Sequence, residues 1–131
     1  MNNKLILFTG TLFALLAVII GAFGAHGLEP HLSEQMLQRY HTAVDYQFYH
    51  SFALLITGLL HYIKPQKTLI LAGIAFSIGI LLFSGSLYAY AISGIRAIAM
   101  ITPIGGLSFI CGWLLLLSML RTLPNLYDSG K

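Results

Sequence analysis

Charge is the first thing this chain lacks. Residues 5–25, 68–92 and 97–120 hold no Asp, Glu, Lys or Arg, and neither do residues 46–60. Only 8% of the 131 residues are charged, against roughly 25% in a soluble domain. That scarcity excludes an ordinary soluble globular domain. Cysteine is nearly absent too. The single Cys111 lies inside the last apolar run, so no intramolecular disulfide is available, and a lone thiol there reads as a small inert hydrophobe. The few basic residues are scattered, with no patch and no interleaved aromatics in a polar segment, which excludes nucleic acid as a partner. No nucleotide-binding loop, zinc spacing or nucleophile motif is present.

What fills the chain instead is apolar: 57% of its residues are hydrophobic. The four runs each reach the ~20 residues a helix needs to cross ~30 Å of hydrocarbon, provided Asp45 is accepted at the start of the second. Membrane strands are shorter and alternate faces, so strands are excluded. The expectation is an all-α membrane protein, a single domain over residues 1–131. It would be a four-transmembrane-helix bundle with helices at about 5–25, 42–62, 68–92 and 103–120 and short loops. The first run follows Lys4 and passes a small-x-small sequence at Ala22-Phe23-Gly24, as a signal peptide would. It exceeds the usual ~7–15-residue signal core, so it reads as a retained helix. Lys4, Lys64, Lys67, Arg121 and Lys131 would share one side, and Arg39 and Arg96 the other. By the positive-inside rule both termini are expected in the cytoplasm.

The first helix carries Gly10, Ala14, Ala17, Gly21 and Ala25, a small-residue stripe suited to close helix packing in lipid. Gly24 and Gly27 suit a C-terminal turn before Pro30. In residues 31–40, Leu32, Met36 and Tyr40 recur every four residues. That pattern suits a short helix lying in the outer interface, or a plain loop. In the second helix, successive steps of ~100° gather Thr42, Asp45, Tyr46, Tyr49 and His50 on one side. Thr102 is a candidate N-cap and Pro103 a first helical residue for the fourth helix. The alternative is a longer helix from about 96, kinked at Pro103. Trp113 faces either lipid or a neighbouring helix.

Alternating spans would bring the end of helix 1, the start of helix 2, the end of helix 3 and the start of helix 4 to one leaflet. The candidate polar cluster there is His26, Asp45, Tyr46, Tyr49, His50, Ser84, Ser86, Tyr88, Arg96 and Thr102. His50 and Ser84 would lie roughly 11–12 Å deep at ~1.5 Å per residue. A polar group at such depth must face the bundle or find a partner. Asp45 could pair with Arg96 or His26, or accept from amides starting the fourth helix. The cluster reads either as a structural lock or as a functional site.

The blocks GAFGAHGL (21–28), TAVDYQFYHSFALL (42–55), LFSGSLY (82–88) and TPIGGLSFICGW (102–113) stand in this order. Together they resemble the signature of Domain of Unknown Function family 423, the YgdD-like small inner-membrane proteins, similar to eukaryotic transmembrane protein 256. The resemblance covers about residues 5–120. It implies a four-helix protein of the bacterial inner membrane and no established activity, so no catalytic role passes to His26, Asp45 or His50.

The expected function is a non-enzymatic structural or accessory role in the membrane. The alternative is an oligomeric transporter or permeation unit using Asp45 and His50. A redox or metal protein using His26, His31, His41, His50 or His61 is the remotest reading, because only His50 is clearly deep. No cofactor and no metal are expected. Membrane lipids are the expected partners, a homo-oligomer is an arrangement open to the chain, and no small-molecule ligand is named by the sequence.

Overall fold

A computed structural model describes residues 1–121, and every regular element among them is helical. Helix α1 runs Asn3–Phe23, started by the Asn2 side chain, which accepts from the Leu5 amide at 2.9 Å. It widens into a π-helical turn, Gly24–Leu28. Helix α2 is Glu34–Ile63 and α3 is Lys67–Gly79. A second π-helical turn, Ile80–Ser84, joins α3 to α4, Gly85–Ser93, without a break. A 3₁₀ turn, Ile98–Ile101, leads into α5, Thr102–Leu120, with Pro103 in its first turn. The polar tail TLPNLYDSGK (122–131), expected to fray, lies outside the described residues, as does Lys131 of the charge count.

Three segments are long and apolar enough to cross a membrane: Asn3–Leu28, Lys67–Ser93 and Ile98–Leu120. They correspond to the first, third and fourth expected spans. Helix α2 is longer than any of them, at 30 residues, yet its composition alone does not mark it as a span.

Three local expectations are corrected. Residues 31–40 form no separate interfacial helix. Ser33 caps α2 by accepting from the Met36 amide at 3.4 Å, and the helix then runs unbroken through Asp45. Nothing in 34–45 breaks a helix, so the amphipathic pattern extends α2 rather than founding an element of its own. Gly24 and Gly27 do not end α1 in a left-handed turn, since Gly94 is the described glycine with positive φ, at 70°. Gly94 closes α4, its amide bonding the Tyr90 carbonyl at 2.8 Å. Thr102 is not a cap either; it has helical dihedrals, and its hydroxyl turns away to Ser86.

Helix α2 is the spine, with α1 packed along one flank and α3 and α4 along another, while α5 packs on α3. The α1–α2 pair is antiparallel along its length. Leu7 lies against Gly58, Leu54 against Gly10, Val44 against Gly21, and the Tyr40 ring against Gly24. A Cβ at Gly10 would come within 3.0 Å of the Leu54 Cβ and 3.1 Å of the Ser51 carbonyl. Part of the small-residue stripe therefore does bring two backbones together. Gly10 and Ala17 are buried, whereas Ala25 is exposed, because the wide turn rotates the seam onto Gly24. The α3–α5 pair uses the same device: Gly112 meets the Phe76 ring, and Gly105 meets the Phe83 backbone itself. Ile6, Leu54, Leu69, Phe76, Ile80, Phe109 and Met119 fill the core between the pairs.

Candidate functional site

The polar side chains of α2 divide between an inward and an outward face. Ala43, Gln47, His50, Ser51 and Leu54 are buried, and Asp45 and Tyr49 are exposed. The residues expected as one cluster accordingly separate. His26 lies exposed in the wide turn after α1, and Arg96 lies exposed in the turn before the 3₁₀ segment. Asp45 forms no hydrogen bond or ion pair with described residues, so the expected pairings with Arg96, His26 or the α5 amides do not occur. The physical reason is direction: Asp45 projects from the flank of α2 opposite its buried stripe.

The inward residues do come together, in three sets. Gln47, only 4% exposed, spans the bundle. Its Nε2 donates to the Phe13 carbonyl of α1 at 2.9 Å, and its Oε1 accepts from the Tyr88 hydroxyl of α4 at 3.0 Å. Beside it the Tyr40 hydroxyl donates to the Ile20 carbonyl at 2.8 Å, and the Tyr40 and Tyr88 rings lie 5.1 Å apart. One glutamine and two tyrosines thus connect α1, α2 and α4.

The second set surrounds His50. Its Nδ1 lies 2.7 Å from the Tyr46 carbonyl, and its Nε2 lies 3.2 Å from the Trp113 indole nitrogen. A carbonyl can only accept and an indole N–H can only donate. The arrangement therefore assigns the proton to Nδ1 and makes Nε2 the acceptor. The imidazole stacks on Phe109 at 3.5 Å with 10° between planes. Tyr46 stacks on Phe83 at 4.5 Å and on His50 at 5.8 Å, while Tyr49 leans on Tyr46 from the surface at 6.4 Å. Both imidazole nitrogens are engaged, which leaves neither to ligate a metal. Among the described residues no group of three or more His, Cys, Asp or Glu converges to hold one.

The third set is a hydroxyl pair. Ser86 and Thr102 oxygens lie 2.7 Å apart, tying α4 to the start of α5, and Ser86 also bonds the Phe83 carbonyl at 3.0 Å. Ser108 of α5 donates to the Ala75 carbonyl of α3 at 2.7 Å. Ser84, in the second wide turn, is fully buried, and its hydroxyl has no partner.

Sequence reasoning missed Gln47, Tyr40 and the Trp113 indole. Gln47 had a signal: Ala43, Gln47 and Ser51 recur every four residues, and an amide inside an apolar run needs partners within the bundle. Trp113 had none, because only the tertiary fold sets its N–H beside His50.

Comparison with known proteins bears on this geometry. Residues 20–106 match the family model described as Protein of unknown function (DUF423). The chain is 44% identical to a UPF0382 membrane protein of Staphylococcus haemolyticus over 87% of its length and 93% of the relative's. It is 40% identical to the UPF0382 membrane protein YwdK of Bacillus subtilis, over 86% and 93%. It is 42% identical to a UPF0382 membrane protein of Haemophilus influenzae, over 87% and 90%. No solved structure matches. A helical chain with three membrane-length apolar segments, matched along most of its length by membrane proteins, belongs to the DUF423 family of membrane proteins of unknown function.

Proposed function

We propose that this protein is a four-span integral membrane domain of the bacterial inner membrane, with both termini cytoplasmic, and that its role is structural or accessory rather than enzymatic. The observation that carries the reading is α2. It is paired antiparallel with α1 from Leu7–Gly58 to Gly24–Tyr40, so a membrane crossed by α1 is crossed by α2 beside it. Its lower apolarity is tolerated because Gln47, His50 and Ser51 are buried between α1, α3 and α5 rather than turned to lipid. Counting out from Ile63 at ~1.5 Å per residue, ~30 Å of hydrocarbon ends near residue 43. The first turns of α2 then stand at headgroup level, where Glu34 is inexpensive, and Asp45 lies at the edge of the hydrocarbon, about 3 Å inside it.

The polar interior supports a lock rather than a path. Gln47, Tyr88, His50, Trp113, Ser86 and Thr102 bond one another or backbone carbonyls. A permeation unit keeps polar groups available to a passing solute, and these are committed to the fold. The test is paired. Gln47→Leu and His50→Ala are expected to lower the unfolding temperature in detergent, while proteoliposomes with wild-type protein show no flux of protons or small ions above empty vesicles. Stable variants that abolish a wild-type flux would reject the structural reading.

A further inference from the structure

Arg39 carries a charge that no carboxylate among the described residues answers. Its guanidinium lies over the Tyr90 ring, 5.2 Å from the centroid. Its Nε is covered and has no acceptor, and no described residue accepts from its terminal nitrogens, which reach the surface. An aromatic face offsets part of the cost of seating a cation there, but it cannot accept from five N–H donors in their donor plane. An anion from outside the chain would.

The surroundings say which anion. Arg39 lies 24 residues before Ile63, about 36 Å at ~1.5 Å per residue, a few ångströms beyond ~30 Å of hydrocarbon. That is headgroup depth. Two helical turns inward along the same seam, Tyr46 stacks on Phe83, as Arg39 stacks on Tyr90. Below Arg39 the backbones of α2 and α5 stay apart, and the two helices meet through the rings of His50, Phe109 and Trp113. Tyr46, at 40% exposed, and Trp113, at 45%, both packed on His50, present two aromatic faces to the bilayer.

We propose that Arg39 and these two aromatic faces hold one membrane phospholipid. Its phosphodiester would lie on the guanidinium and an acyl chain along Tyr46 and Trp113. A guanidinium fork matches two phosphate oxygens in its plane, and the aromatic faces match a hydrocarbon chain. The proposal rests on α2 spanning the membrane, which cysteine labelling at positions 33 and 66, at its two ends, examines separately. A failure of the lipid site and a failure of the span are therefore read in different experiments.

The test is native mass spectrometry of the full-length protein, delipidated in detergent and titrated with phosphatidylglycerol, with diacylglycerol of the same chains, or with inorganic phosphate. The expected result is one saturable phosphatidylglycerol per chain, at least tenfold weaker binding of diacylglycerol, and no bound phosphate. Arg39→Gln is expected to weaken phosphatidylglycerol at least tenfold with its helical circular dichroism intact, and Arg39→Lys to retain part of the binding. Tyr46→Ala, which removes one of the two aromatic faces, is expected to weaken it as well. Equal binding of diacylglycerol, binding of phosphate alone, or unchanged phosphatidylglycerol binding by Arg39→Gln would each overturn the site. If Arg39→Gln does not fold, the lysine variant decides: weakened lipid binding by folded Arg39→Lys, partial or complete, supports the site, and lipid binding equal to wild type overturns it.

Discussion

Gln47 is where a single side chain does most for this bundle. Its amide joins α1 to α4 through two hydrogen bonds, and interhelical hydrogen bonds in membranes average about 0.6 kcal/mol with a maximum near 1.7. Gln47→Leu is expected to cost about 1–3 kcal/mol, measured by unfolding in detergent. Combined with Tyr88→Phe, it should cost less than the sum of the two, because the second change removes a bond already lost. Ser84→Ala is the contrast: its hydroxyl is buried without a partner, so removing it should be neutral or stabilising, within about 0.5 kcal/mol. His50 adds an aromatic case. His50→Ala loses the Phe109 stack and leaves the Trp113 N–H unpaired. A cost of about 2–4 kcal/mol is expected, while His50→Phe, which keeps a stacked ring, should retain at least half of that. His50 and Ser84 were legible beforehand as buried polar positions. The His50 partner on α5 was not, since a hydrogen bond across 63 residues of sequence has no local signature.

At the level of helices, the contacts that decide the geometry are glycines against rings and backbone. Gly105 has the Phe83 backbone where its Cβ would stand, whereas Gly85 has nothing within 4 Å. Gly105→Ala is therefore expected to separate α5 from the wide turn at Ile80–Ser84 and cost about 1–3 kcal/mol. Gly85→Ala is expected to stabilise by about 0.5–1 kcal/mol through helix propensity. Thermal unfolding of the two variants side by side checks both signs. The same contacts explain why the wide turns escaped sequence reading. ILLFS carries no helix-breaking residue, the glycines of GAHGL read as a helix end rather than a wide turn, and both turns lie where a neighbour crowds the helix: the Tyr40 ring over Gly24, and Gly105 against Phe83. The small-residue stripe of α1 was readable, but its last member was not, because a π-helical turn changes the angular step.

For the whole molecule, the antiparallel pairing of α1 with α2 and of α3 with α5 makes orientation a single choice for all four segments. In a Cys111→Ser background, cysteines at positions 3 and 66 should resist a membrane-impermeant thiol reagent in intact cells, and one at position 33 should label. Labelling at 3 and 66 with protection at 33 would invert the topology, and labelling at both 33 and 66 with protection at 3 would remove α2 from the membrane.

Hydrophobic content is a local property, and by itself it determined the membrane location, the all-helical class and the family, because unbroken apolar runs and ordered motif blocks need no partner to be recognised. The spacing within the runs also marked His50 and Ser84 as deep polar groups that must face the bundle or find a partner. Direction around a helix, by contrast, becomes meaningful only once the neighbours are in place. The tertiary structure alone decided that Asp45, His26 and Arg96 face outward, that Thr102 bonds Ser86 instead of capping α5, and that residues 34–45 continue α2. Each of these depends on which flank of α2 the other helices cover, and that is set by close packing at Gly10, Gly58 and Gly105, positions whose sequence says only that a side chain is missing.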